Sequence, residues 1–301
     1  MEPLPLKPFK TYEEQVEHLK SAHGLIVYDE ERAERILSNT NYYRLSAYGI
    51  TLRDPANPDR YRPGTTFDDI FRLYTFDNAL RVILFPLIEE VEIQFRTRVA
   101  YQLGKEYGPE GYMNKNNFLP KTNPITGIDY HTDTIDKFKK EKDRQKRLPC
   151  VIHHNTKYGG HFPVWAAIEL FTFGMVSSLY SSMKQADQNA VAATYNTKTS
   201  YLNGWILSLV ELRNLCAHSN RLYFMKFKQT PSLYSEHAKY KASYRLFPIL
   251  IVLKRMCAGR SIWNTFAKNL GSVMNEYSDI VDLSCLGFPP EWRNVLGVPV
   301  P

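Results

Sequence analysis

From about Phe67 to Gly104, apolar residues recur at helical spacing: Leu80, Ile83, Leu84, Leu87, Ile88, Val91, Phe95 and Val99. At about 100° per residue these positions share one broad face. A helix this long cannot bury that face alone, so other helices must pack around it. Thr66, with Asp69 three residues on, is placed to cap its start, and Pro86 predicts a break or bend. Further helix signals precede and follow it. Thr11-Tyr12-Glu13-Glu14 fits a capping box for a short helix ending near Gly24, and Asp29 heads another over 30–37. Asn39 to Gly49, with Tyr42, Tyr43 and Tyr48, predicts a turn plus a helical segment packed on the long helix. Pro55, Pro58, Pro63 and Gly64 read as a loop, as does the polar segment from Tyr107 to Asp129. A helix is expected from Pro163 to about Phe173, broken by Gly174 before Met175–Met183. Strand alternation is scarce, and the expected fold class is all-α.

With 301 residues, 44% of them hydrophobic and 13% aromatic, the chain has ample material for a packed core. No apolar run reaches membrane-spanning length; the longest, Leu246 to Leu253, contains Pro248. The segment Met1–Pro8 lacks the apolar core of a signal peptide. Cys150, Cys216, Cys257 and Cys285 are far apart, which points to reduced thiols and no zinc knuckle. The expectation is a soluble cytoplasmic protein with no membrane partner and no cofactor.

The net charge of +7 suits a polyanionic partner, and its location is informative. Lys137, Lys139, Lys140, Lys142, Arg144, Lys146 and Arg147 stand against only Glu141 and Asp143 within the same eleven residues. Such a stretch is either a solvated helix face or a surface that tracks phosphates. His153, His154 and His161 are expected in a solvated loop, since no fourth ligand lies at a useful spacing; no metal site is expected. Gly271-Ser272 with Asp279 and Asp282 has the composition of a nucleotidyltransferase motif, but the aspartates are three apart rather than two.

The candidate chemistry lies in Arg213-Asn214-Leu215-Cys216-Ala217-His218. Ser200 to Ala217 reads as a helix whose apolar stripe is Leu202, Trp205, Ile206, Leu209, Leu212 and Cys216. Arg213 falls at the edge of that stripe, while Glu211, Asn214 and His218 lie on the other side. An arginine offers a forked permanent charge to a phosphate. A histidine can move a proton near neutral pH, and Asn214 can orient the imidazole or hold a ribose hydroxyl. The hexapeptide alone also fits a core ion pair, with Glu169 or Glu211 as partner of Arg213, and a histidine favoured at a helix C-terminus. Five residues along a helix separate Arg213 and His218 by about 140° and about 7.5 Å. Two copies meeting along this helix would pool both pairs in one cleft, which predicts a homodimer with a composite site.

Arg213-Asn214-x-x-x-His218 resembles the R-x4-6-H signature of the HEPN superfamily, and the wider chain resembles the Abi-like (AbiD/AbiF-type abortive infection) proteins. The supporting segments run in order along the sequence. They are Asn41-Tyr42-Tyr43-Arg44-Leu45-Ser46-x-Tyr48-Gly49, Leu73-Tyr74-x-Phe76-Asp77-x-x-Leu80-Arg81 and Glu89-x-x-Glu92-x-x-x-Arg96. Pro163-Val164-Trp165-x-x-x-Glu169-x-x-x-Phe173-Gly174, Leu212 to Arg221 and Gly287-Phe288-Pro289-Pro290-x-Trp292 complete them. The resemblance implies a HEPN-type helical bundle with additional N- and C-terminal helices. Residues 1–65 would pack on a HEPN-like domain, 66–301, that carries the motif at 213–218, together one compact unit.

The resemblance also implies a metal-independent endoribonuclease of a phage-defence or toxin-type system, an RNA substrate and a possible small regulatory RNA. Arg213, Asn214 and His218 would be catalytic, with Glu169, Glu92 and Arg96 supporting them. Lys137 to Arg147 and Arg221 would contact RNA. Ser219 stands where the family commonly carries a second histidine. The competing expectation is a non-catalytic HEPN module that binds RNA or a protein.

Overall fold

The computed structural model describes residues 6–299. Its helices, in order, are α1 (Tyr12–Ser21), α2 (Glu30–Asn39) and α3 (Tyr42–Ser46), then α4 (Phe67–Tyr107), α5 (Tyr130–Arg144), α6 (Pro149–Lys157), α7 (Val164–Ala167), α8 (Phe173–Ser182), α9 (Gln185–Ala193), α10 (Thr199–Ala217), α11 (Leu246–Met256), α12 (Ser261–Glu276) and α13 (Trp292–Leu296). Among the described residues the one sheet is a hairpin of β1 (Arg53–Asp54) and β2 (Asn57–Tyr61). The fold is all-α.

The capping boxes at Thr11 and Thr66 both form, and Asp29 accepts the backbone N–H of Arg32 at the start of α2. Each satisfies amides that a helix start leaves without partners. α4 runs 41 residues, about 60 Å at the helical rise, and ends at Gly108, whose φ of +73° favours glycine. Pro86 does not break it. Proline removes the N–H that would bond the carbonyl of Val82, but both residues face solvent, where water can take that carbonyl.

α4 is the axle of the fold. It packs against α7, α8, α9, α10, α11 and α12, while α3 and the 3-10 turn Ala47–Leu52 lie on its N-terminal half. One continuous hydrophobic core runs from Val16 and Leu37 in the first helices, through Leu80, Val91 and Phe95, to Trp292 near the end.

Three local expectations are corrected. Residues 53–61 form a hairpin rather than a loop, with Arg53 opposite Tyr61 and Asp54 opposite Asn57. Most of its side chains are exposed, so no hydrophobic alternation marks it. The break after α7 falls at Phe171-Thr172, because Thr172 caps α8; Gly174 sits inside that helix. His153 and His154 belong to α6 rather than a loop, since Pro149 at its first turn starts a helix there.

Candidate active site

α10 crosses α4 and presents Arg213 to it. The Nε of Arg213 donates to Glu92 Oε2 at 3.2 Å. Glu92 is a buried carboxylate, with 7% of its side chain exposed, and its other oxygen accepts from Arg96 one turn further along α4. An isolated carboxylate would be costly at this depth. Two guanidinium groups stabilise it. The partner of Arg213 is therefore Glu92, and neither Glu169 nor Glu211. Glu211 accepts the backbone N–H of Lys228, and Glu169 is exposed on the turn after α7.

This pairing leaves the working end of Arg213 open. Only Nε is engaged; the two terminal nitrogens have no hydrogen-bond partner among the described residues, and 31% of the side chain is exposed. Arg96 is the more buried of the two arginines, and its Nε also lacks a partner. The site thus concentrates two guanidinium groups on one carboxylate, a local excess of positive charge facing solvent through Arg213.

His218 terminates α10. Its backbone N–H donates to the carbonyl of Asn214 at 3.0 Å, Ser219 follows with φ +53°, and the N–H of Asn220 returns to Leu215 O. That sequence of bonds is a left-handed helix stop. Asn214 and His218 are both exposed, so imidazole and amide reach solvent on the same helix as Arg213. Between them Cys216 is buried, and burial pushes its thiol up to about 12, which keeps it unreactive.

The segment after His218 is held by residues that the pattern of charges did not single out. Asp77 on α4 is fully buried. It accepts from the Tyr48 hydroxyl at 2.7 Å, from the backbone N–H groups of Leu222 and Tyr223, and from Arg81 one turn away. Burial pushes its carboxyl above the ordinary value; Arg81, the Tyr48 hydroxyl and the two amides oppose that shift. Arg81 also donates to Asn220 O, and Arg44 of α3 donates to Ser219 O. The N-terminal region and α4 together clamp residues 219–223 and so fix where α10 ends. The signal available in sequence was Asp77 and Arg81, four apart on the apolar face of a long helix.

Arg221, expected to meet RNA, is turned inward: it donates to Ala47 O and lies over the Tyr48 ring. The basic stretch spans α5 and the turn after it. Lys137 pairs with Asp133, Lys139 with Asp136 and Arg144 with Glu141. Lys140, Lys142, Lys146 and Arg147 form no such pair among the described residues. α5 packs on α8, and α8 on α10.

No group of three or more His, Cys, Asp or Glu among the described residues is placed to hold a metal ion. His161 instead meets Glu110, and Asp279 is paired with Arg72. No described helix is long and apolar enough to cross a membrane.

A family model described as Abi-like protein matches residues 35–224, well over half of the chain. The matched span runs from α2 to just past the end of α10 and includes every residue of the site described above. No curated protein and no solved structure matches the chain.

Proposed function

This chain belongs to the Abi-like family, a membership that points to abortive infection and phage defence, and from it we propose a HEPN-type endoribonuclease that cleaves RNA without needing a metal. A ribose 2′-hydroxyl attacks its own adjacent phosphate. Arg213 neutralises charge gathering on the phosphoryl oxygens through its two open nitrogens. His218 exchanges a proton with the attacking or leaving oxygen, and Asn214 holds the ribose or the imidazole. The observation that carries this reading is the Arg213–Glu92 contact. It orients the guanidinium from behind and leaves its forked end to solvent.

Because Arg213 and His218 are separated around α10, the reaction centre is completed by a second copy. An exposed apolar row supports that arrangement. Val82, Phe85 and Ile93 are exposed and share one side of α4. Two such rows meeting would hide surface that water disfavours. α5 and its following turn then guide single-stranded RNA by charge.

Cleavage of RNA by the purified protein in EDTA tests the reading. Products with 2′,3′-cyclic phosphate and 5′-hydroxyl ends, resistance of DNA, and inactivity of folded Arg213→Ala and His218→Ala variants are expected. Binding of RNA without turnover would favour the non-catalytic module. Equal cutting by all three proteins would place the activity elsewhere.

A further inference from the structure

Away from Arg213, a cavity of about 730 Å³ opens between the first half of α10, the segment around Leu233–His237, α11 and the start of α12. Its size lies within the range of ~300–1,000 Å³ typical of small-ligand pockets. Its walls combine two properties. Trp205, Leu233, Val252 and Trp263, each with less than a tenth of its surface exposed, give an apolar floor, while Lys254, Arg255 and Arg260 stand at the rim with one exposed acid, Glu236.

The cations are unusually short of counter-charges. Arg260 is paired with Glu90 of α4. Arg255 and Lys254 have no carboxylate within 4.0 Å among the described residues. Arg255 lies over the Tyr234 ring, 4.0 Å from its centroid, and Tyr234 is itself stacked on Tyr201. The Nε of Arg255 is buried without a partner, and one terminal nitrogen makes only a 3.4 Å contact with Asn196 O. Lys254 donates to Val295 O, and burial lowers its pKa from the ordinary value. Buried donors on a permanent cation are normally satisfied. The α12 N-terminus opens on the same cavity through Ser261 and Asn264, and Arg260 gives it no side-chain cap. Its free amides add to the attraction for an anion.

We propose that this cavity binds a nucleoside monophosphate, with the phosphate between Arg255, Lys254 and the first turn of α12 and the base against the Trp205–Trp263 side. Two cations without a carboxylate partner, together with the free amides of α12, suit a doubly charged phosphate better than a single carboxylate. The apolar floor gives a base a surface that a bare phosphate would leave unused. The site stands apart from Arg213 and does not depend on the nuclease reading. It touches both helices of that centre, α10 through Trp205 and α4 through the Arg260–Glu90 pair.

Calorimetric titration of the full chain with AMP, adenosine and inorganic phosphate tests the proposal. AMP is expected to bind, with adenosine and phosphate each weaker by about tenfold or more. Arg255→Gln should weaken AMP by about tenfold, and Arg213→Ala should bind it as the unaltered protein does. If Arg255→Gln melts early, Lys254→Gln provides the same comparison. A short oligoribonucleotide with a 5′-phosphate separates two sources: competition with AMP identifies an RNA end, and its absence identifies a free nucleotide. No AMP binding at millimolar concentration, or equal binding by folded Arg255→Gln and Lys254→Gln, overturns the site.

Discussion

The carboxylate of Asp77 accepts the backbone N–H of Tyr223 at 2.7 Å, so a side chain on α4 fixes the main chain five residues beyond His218. With Leu222, Tyr48 and Arg81 as further donors, this one buried acid joins α4, the N-terminal region and the end of α10. Asp77→Ala would leave Arg81 as an uncompensated buried charge. A loss of about 3–5 kcal/mol in unfolding free energy is expected, read by urea denaturation, together with reduced RNA cleavage in what remains folded.

Arg213→Ala acts differently. Glu92 keeps Arg96, so folding should change little, whereas the charge facing the phosphate disappears. The turnover rate should fall roughly 100- to 1,000-fold, with the melting temperature nearly unchanged. Arg213→Lys should not restore it, because a lysine cannot reach Glu92 and a phosphate at once with a planar fork.

Glu92→Gln keeps the volume but removes the charge that both arginines share. A stability loss of about 3 kcal/mol is expected. In a double-mutant cycle, Glu92→Gln and Arg213→Ala should be clearly non-additive in both stability and cleavage. Simple additivity would mean that the 3.2 Å contact does not orient Arg213.

The composite centre predicts that activity follows association. Ile93→Asp, placed on an exposed apolar position of α4, should leave the fold intact, abolish dimers in sedimentation and abolish cleavage. Cleavage by a protein that sediments as a monomer would remove the second copy from the mechanism.

One pH dependence follows from Glu291. Hydrogen bonds from Lys239 and from the Tyr240 hydroxyl hold its carboxyl down at about 2, against an ordinary 4.5. A depressed carboxyl stabilises the fold fully above its unfolded value and loses that contribution as pH falls from about 4.5 through about 2. Melting curves in that window should fall less steeply for Glu291→Gln. Since the group is exposed, added salt should weaken the difference.

Helix positions and caps were legible because they depend on neighbours in sequence. Thr11 with Glu14, Thr66 with Asp69, and Asp29 are all local patterns, and each cap forms as its spacing predicts. The partner of Arg213 was not legible, because Glu92 lies 121 residues away and several acids were equally plausible. Asp77 shows the same limit: its hydroxyl donor is 29 residues distant and one of its amide donors 145. The contact of Arg221 was not legible either, because its acceptor, the Ala47 carbonyl, lies 174 residues away. The Arg255 cavity left no trace in the sequence at all, since its cations and tryptophans come from three separate helices.

α4 alone supplies Asp77, Arg81, Glu90, Glu92 and Arg96, so the counter-ions of three distant regions are strung along a single rod. A shortened version of this protein therefore cannot begin at the motif helix, however complete the motif looks. Cut after Tyr107, the remainder would carry Arg213 and Arg260 with nothing opposite them, and residues 219–223 with no anchor. The smallest piece able to work must start upstream of α3, and splitting the chain into two complementing fragments should succeed only where both halves restore this rod.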